Sequence, residues 1–537
     1  MIARTVSLSL VVLFAALLVA SALAVPSGDA PRGGTLRVGS NVDVDSVDPG
    51  LGYSLSAWQI ADASCTRLFA YRVNPGGADA RVVPEVVRSL TVSPDRRTYT
   101  FTLKETFRFH TGARVTAQSF AAAFNRNARA GFPTPAKPYM REIVGAAAVI
   151  DGQAQTISGV RVADRYRLQI RLTKPAEDFT ARLTMPFFCP ILPNTPADPK
   201  GIDNPAGSGP YYVAERIVNQ RTVLRRNPYY RGERPANVDQ IVWTIGGSLQ
   251  DCQRAVEEDR TDFCGQPGAP REAWRGLADK YGINRPNGQL FVRPSLSTWY
   301  YAFNHSRPAF RGPGQIPLKK AINFAIDRPA LARTFGYLAG RRTDQMLPPA
   351  LARAESIYPL GGANPAAARR WYAKARFKPT TLVLYTWNVP HTVAQAQIVA
   401  FNLKQIGIDL EVKFFDPDAV FLRTRTRGEP FDIVIGGWSV DYADPWGFFG
   451  PLLAPEGPLA VAVDDPNLRR RMEAANRLTG GSRLRAFADL DVDLMRDDPP
   501  WVPVVHTQQR ILISKSLGCV VHHPIIGVDI TALCKKP

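Results

Sequence analysis

The stretch FDIVIGGWSVDYADPWGFFG, residues Phe431 to Gly450, decides how the rest of the chain is read. It opens with an apolar run, Phe431, Ile433, Val434 and Ile435, whose length and β-branched content suit a strand buried on both faces. The Gly436–Gly437 pair is expected to end that strand, because glycine lets the backbone turn with no side chain in the way. Beyond it, Trp438, Tyr442 and Trp446 are interleaved with Asp441 and Asp444, and Pro445 blocks a helix. In open α/β sheets, ligands bind at the loops beyond the carboxyl ends of strands. Aromatic walls around one or two acids suit a ligand with a positive charge, such as an amino group. The same spacing also suits tryptophans in a core and acids in a solvated turn.

Working outward, 537 residues are too many for one ordinary core and imply two or three lobes. Hydrophobic content of 45% with 21% charged residues excludes a disordered chain. Residues 1–25 read as a secretory signal peptide: Arg4 precedes a long apolar run that ends in the small-x-small triplet Ala22-Leu23-Ala24. The run approaches the ~20 residues that span a bilayer, so a retained anchor is the alternative. Six cysteines, Cys65, Cys189, Cys252, Cys264, Cys519 and Cys534, fit disulfides formed after export. The near pairs Cys252/Cys264 and Cys519/Cys534 are first choices, which leaves Cys65 with Cys189. No cysteine spacing suits zinc, and His522–His523 reads as a surface pair. The net charge of +19 is spread along the chain, which favours contact with anionic envelope polymers or lipid headgroups over nucleic acid.

Along the chain, a strand is expected at 33–40 and a helix from Ser54 to Phe69. YTFTLK alternates as a strand at 99–104, with FRFH (107–110) continuing as another, and Thr116 caps a helix carrying Phe120, Ala123, Phe124 and Ala128. Residues 157–172 read as a hairpin turning at Asp164–Arg165, and a Pro-rich connection follows from Pro186 to Pro210. Three further strand segments precede a change at Trp299 to βα alternation. There, helices are expected at 317–326, 329–338, 364–375 and 391–406, and strands at 381–385, 408–414 and 431–435. Enzyme signatures fail. Gly52-Tyr53-Ser54-Leu55-Ser56 lacks the last glycine of a hydrolase elbow, GSGPYY lacks the third of a dinucleotide loop, and there is no phosphate loop or HExxH. A glycosidase-type carboxylate pair stays open, since acids are plentiful.

Eight separated motifs then fall into one order. They are GGTLRVGS (33–40), VDP (47–49), YTFTLKETFRFHTGARVTAQSFAAAFNR (99–126), GSGPYYV (207–213), NPYYRG (227–232), LKKAINFAIDR (318–328), LKQIGIDLEV (403–412) and GGWSVDYADP (436–445). Together they cover essentially the whole chain behind the signal peptide, and the order resembles the family 5 extracellular solute-binding proteins of ABC importers, the oligopeptide and dipeptide binders. The resemblance implies an α/β fold of two lobes joined by a hinge, with an extra domain inserted in the first lobe. Lobe I would comprise 33–68, 206–290 and 505–537, the extra domain 69–205, and lobe III 291–504.

The implied activity is capture of short peptides by hinge closure and delivery to a membrane permease and its ATPase. The protein would be an exported monomer, periplasmic or on the outer face of the membrane, with no cofactor, no metal and no chemistry of its own. The same scaffold also serves nickel chelates, haem, sugars and opines; a secreted hydrolase is the reading from another class. By resemblance, Asp441 beside Trp438 and Tyr442 receives a peptide's ammonium group. Arg425, with Arg423 or Arg427 as alternatives, matches a carboxylate-binding arginine, whereas Ile435 stands where oligopeptide binders have an arginine. Tyr139, Trp387 and His391 fall near stretches that line the family's cleft.

Overall fold

The computed structural model describes residues 31–72, 81–351, 355–424, 426, 428–453, 463 and 465–537. The signal-peptide segment 1–25, Arg425 and Arg427 lie outside them. Three main sheets form, the first from strands on either side of the second in sequence. The first has five strands in the order Phe263–Cys264, Thr35–Ser40, Gln240–Ile245, Arg221–Arg226, Tyr211–Ile217. Thr35–Ser40 buries every second residue, Leu36, Val38 and Ser40, as the alternation of a strand requires. The second sheet has four antiparallel strands in the order Val87–Val92, Thr98–Leu103, Arg167–Arg171, Val160–Asp164. It packs on the helix Ala117–Ala128, whose Thr116 and Ser119 form a reciprocal capping box.

The third sheet has six strands in the order Gly340–Arg342, Trp501–Leu512, Leu290–Phe303, Ile433–Ser439, Thr381–Trp387, Asp409–Phe415. Ile433–Ser439 runs antiparallel to Leu290–Phe303 and parallel to Thr381–Trp387. Ile433 and Ile435 enter one core with Tyr301, Phe303 and Leu384, whereas Val434 enters another with Tyr300 and Ala302. The strand is therefore buried on both faces, as its composition implies. Leu290–Phe303 and Trp501–Leu512 are long enough to serve two regions. Their pairing is regular from Leu290 to Pro294 and resumes from Thr298 to Ala302, with register breaks between Pro294 and Thr298 and between Trp299 and Tyr300. At its far end Ile513 bridges Phe263 of the first sheet.

Several local expectations are corrected. Gly436 and Gly437 lie inside the strand, which runs to Ser439. They are glycines because aromatic rings of the neighbouring strand lie over them: a Cβ at Gly436 would sit 2.8 Å from the Tyr300 ring, and one at Gly437 3.1 Å from the Trp299 indole. FRFH is a turn closed by a single Arg108–Arg114 bridge, with Phe107 and Phe109 buried. The first helix stops at Ser64, where Cys65 is tied to Cys189, and Phe69 belongs to a short strand, Phe69–Tyr71. His522 and His523 are buried, not a surface pair. His522 Nε2 lies 3.1 Å from the Pro294 carbonyl, and His523 Nδ1 accepts from the amides of Ile525 and Ile526. Cys252 pairs with Cys264 and Cys519 with Cys534, completing three disulfides among the described residues. Among those residues no helix is long and apolar enough to cross a membrane.

Candidate functional site

The strand Ile433–Ser439 delivers the segment 440–446 to a place where every other residue is held by a partner. The amide of Val440 donates to the Leu296 carbonyl at 3.1 Å. The hydroxyl of Tyr442 donates to Asp178 at 2.7 Å, and the amide of Ala443 donates to the Tyr71 hydroxyl at 2.7 Å. The carboxylate of Asp444 takes the Arg483 guanidinium at 2.7 and 3.0 Å and the Trp446 amide at 2.8 Å.

Asp441 is the exception. Its Oδ2 accepts from the hydroxyl of Tyr53 at 3.0 Å and from that of Tyr139, and Oδ1 has no hydrogen bond among the described residues. No cation reaches it among the described residues. Burial is the largest influence and lifts its pKa to about 6, with the two tyrosine hydroxyls pulling the other way. Tyr139 sits on the short helix Lys137–Met140. Tyr53 sits in the turn before the first helix, its amide held by Asp45 at 2.6 Å and its ring 5.9 Å from Trp58 and from Phe187. Both tyrosines thus come from sequence far from Asp441, so the pocket around the carboxylate is assembled across the fold.

The same strand face carries an aromatic cluster. Because Gly437 has no side chain, the Trp299 indole lies across the strand, and Gly437 and Ser439 stay exposed. Trp299 meets Trp387 edge-on at 5.0 Å, Phe335 at 5.1 Å and His391 at 6.0 Å. His391 is held neutral at pH 7, its pKa pushed down to about 4 by burial and by the charge of Arg271. Asp441 lies two residues beyond the end of this strand at Ser439, and Gly437 two residues before it.

The structure thus brings together Asp441 and Tyr139, and gathers Trp387 and His391 on the same sheet face. Tyr442 does not line this space: it is 2% exposed, its ring joins the core of the four-stranded sheet and its hydroxyl belongs to Asp178. Trp438 is half-buried in the core on the opposite face, with its indole N–H donated to the Gly447 carbonyl at 2.8 Å. Arg425 lies outside the described residues, as does Arg427. Arg423 already pairs with Glu429 at 2.8 Å and stacks on Phe415. Ile435 is buried core, so no cation stands at that position. Sequence reasoning missed Tyr53 and Trp299. The first sits in the failed elbow motif, and the second was marked only by the glycine opposite it.

Comparison with known proteins gives one answer. Residues 81–458, more than half of the chain, match the family profile described as bacterial extracellular solute-binding proteins, family 5 Middle. The periplasmic oligopeptide-binding protein OppA of Escherichia coli K12 is 24% identical over 460 residues, 82% of each chain. The periplasmic murein peptide-binding protein MppA of the same organism is 26% identical over 511 residues, 89% of each. Among solved structures, the clavulanic acid biosynthesis oligopeptide binding protein 2 superposes with a TM-score of 0.84 at 23% identity, covering 94% of this chain and 96% of that one. This last likeness shows the fold: a mixed α/β protein of two lobes with an extra domain.

Proposed function

The chain belongs to the family 5 bacterial extracellular solute-binding proteins, and from that premise we propose that it captures short peptides by their free amino terminus and hands them to an ABC permease outside the cell membrane. The observation that carries this reading is the carboxylate of Asp441, which is short of one cation. An acid drawn out of water is paired with a cation or protonated, and Asp441 is partly buried with no cation on it among the described residues. This one is held by two tyrosine hydroxyls, with one oxygen free, and a peptide ammonium supplies both the charge and the remaining donors. The relatives named for oligopeptides and murein peptides support the peptide class.

Closure follows from where the partners come from. Lobe I is assigned to 33–68, 206–290 and 505–537, the extra domain to 69–205 and lobe III to 291–504. On that division Tyr53 and Tyr139 reach Asp441 across the cleft, and the register break at Pro294–Thr298 marks the hinge. Calorimetry with trialanine and N-acetyl-trialanine tests the reading. Trialanine should bind, and the acetylated form, which lacks the charge, should bind at least about 30-fold more weakly, as loss of one member of a buried pair costs ~2–5 kcal/mol. Equal binding of the two forms would remove Asp441 as the anchor.

A further inference from the structure

A cavity of about 580 Å³ lies where the short strand Phe69–Tyr71 and its partner Val82–Pro84 meet the segment 230–235. That is within the roughly 300–1,000 Å³ of small-molecule sites, and none of Asp441, Tyr53 and Tyr139 lines it. Its floor, Glu85 and Arg234, belongs to a charge network that balances itself. Arg234 donates to Glu85 at 2.7 Å, Glu85 accepts from the Arg67 amide at 2.7 Å, and Asp62 pairs with both arginines. The walls are apolar. Ala70, Val83, Pro84 and Pro235 line them, and Phe107 meets the Tyr230 ring at 6.2 Å.

The remaining charges do not balance. Arg72, Lys104 and Arg231 line the same cavity against one further acid, Glu233. Lys104 Nζ lies 3.9 Å from Glu233, whose side chain is 97% exposed, so solvent and salt weaken that pair. Arg231 uses one nitrogen, Nη1, on the carbonyls of Pro228 and Tyr230, at 2.9 and 2.8 Å. The side chain of Arg72 makes no hydrogen bond or ion pair among the described residues. A single exposed arginine is ordinary. Three cations around one apolar cavity, beside an acid already committed to other arginines, repel one another until an anion arrives.

We propose that this cavity is a second ligand site, which takes a phosphate monoester carrying a flat apolar body. A guanidinium presents its donors as a planar fork that fits phosphate oxygens, and an ammonium adds a point charge. With Glu233 set against Lys104, Arg72 and Arg231 leave about two positive charges. A phosphate monoester, at roughly −1.5 to −2, balances them, and a lone carboxylate does not. Tyr230 and the wall of Pro84 and Pro235 receive the body, since burial there takes its apolar surface out of water. The site uses none of the contacts at Asp441, so it stands or falls apart from the peptide reading.

Calorimetry at pH 7.5 and low salt tests this with four probes: naphthyl phosphate, naphthoate, naphthol and inorganic phosphate. On wild type, naphthyl phosphate should bind at least about tenfold more tightly than each of the other three, which lack the second charge, all charge or the body. Arg72→Gln and Arg231→Gln alter exposed side chains, so both variants should fold. Each should weaken naphthyl phosphate by about two- to fivefold, the size of one exposed charge contact, and the double variant by about tenfold. Raised salt should weaken wild-type binding more than binding to the double variant. Asp441→Asn should leave the affinity unchanged. A change of more than about threefold in that variant would put the probe beside Asp441 and overturn the second site. Inorganic phosphate or naphthoate binding as tightly as naphthyl phosphate would overturn the ligand class. No binding of naphthyl phosphate to wild type, or equal binding to the double variant, would overturn the proposal outright.

Discussion

Two carboxylates that depend on tyrosine hydroxyls stand beside each other, and they behave in opposite ways. Asp178 accepts from Tyr442, and Asp441, the residue before Tyr442, accepts from Tyr53 and Tyr139. Asp178 also grips the Arg182 guanidinium with both oxygens, at 2.7 and 2.9 Å, and its pKa is held down despite full burial. Asp441 has the tyrosines without the arginine, and its pKa rises to about 6. The difference teaches that a phenol hydroxyl orients a carboxylate but does not neutralise it. Where the charge is balanced internally the network is architecture; where it is not, the protein has left a place for a cation to arrive.

The largest effect should come from removing the internal cation. Arg182→Met leaves Asp178 buried without its main partner, which typically costs ~3–5 kcal/mol. Urea unfolding should show that loss, and a variant as stable as wild type would break the comparison at its structural end. Next in size, Asp441→Asn should weaken trialanine binding by ~2–5 kcal/mol, 30-fold to several-thousand-fold. Its effect on the empty protein should have the opposite sign. The folded pKa of about 6 lies above the ordinary 3.8, so the native state holds the proton more tightly and stability falls as pH rises from about 4 to 6. At pH 7.5 the ionised group therefore costs up to about 3 kcal/mol. Asp441→Asn removes that cost, so its melting temperature should exceed wild type at pH 7.5 and match it at pH 4. A variant destabilised at both values would make Asp441 an ordinary structural acid.

Much of this was legible before any coordinates. The eight ordered motifs carry the architecture through the family they resemble, and local chemistry fixes single elements, such as the helix capped at Thr116. Asp441 was legible because it follows a buried-type strand. What was hidden is long-range. Nothing around Tyr53 announces that its hydroxyl meets a carboxylate 388 residues away. Tyr442 looked equivalent to Trp438 and Asp441, yet neighbouring residues here point into different compartments. Gly436 and Gly437 were read as a turn because glycine has two uses in strands. Only the rings of Tyr300 and Trp299 on the adjoining strand reveal the second.

The pH dependence of binding sharpens the contrast further. A peptide ammonium needs an ionised Asp441, and below pH 6 the empty protein must first release a proton. Affinity for trialanine should peak near pH 7, be about tenfold lower at pH 5 with a further tenfold for each unit below, and fall again above about pH 8 as the peptide's own amino group loses its proton. His391, pushed down to about 4, stays neutral across that window and does not confound it. The residual binding of Asp441→Asn should be flat from pH 7 to 5. A wild-type profile equally flat would mean that the carboxylate is not the group the ligand meets.

The smallest effect is the most discriminating, and it compares one hydroxyl with another. Tyr139→Phe removes a donor from an unbalanced carboxylate, and Tyr442→Phe removes one from a balanced carboxylate, with rings 6.1 Å apart. A hydrogen bond to a charged group contributes ~1.5–3 kcal/mol and a typical one ~1 kcal/mol. Tyr442→Phe should lower stability within that range, because its hydroxyl is buried against Asp178, while leaving the pH midpoint of binding unchanged. Tyr139→Phe should do the reverse. Its hydroxyl lowers the pKa of Asp441, so its loss should move the binding midpoint upward by a fraction of a pH unit while changing the unfolding free energy at pH 4 little. Competition binding of trialanine from pH 4.5 to 8 on the two variants reads the midpoints, and urea unfolding at pH 4 reads the stabilities. If Tyr442→Phe shifts the midpoint as far as Tyr139→Phe, the two carboxylates titrate as one system, and the division between an architectural acid and a receiving acid is wrong.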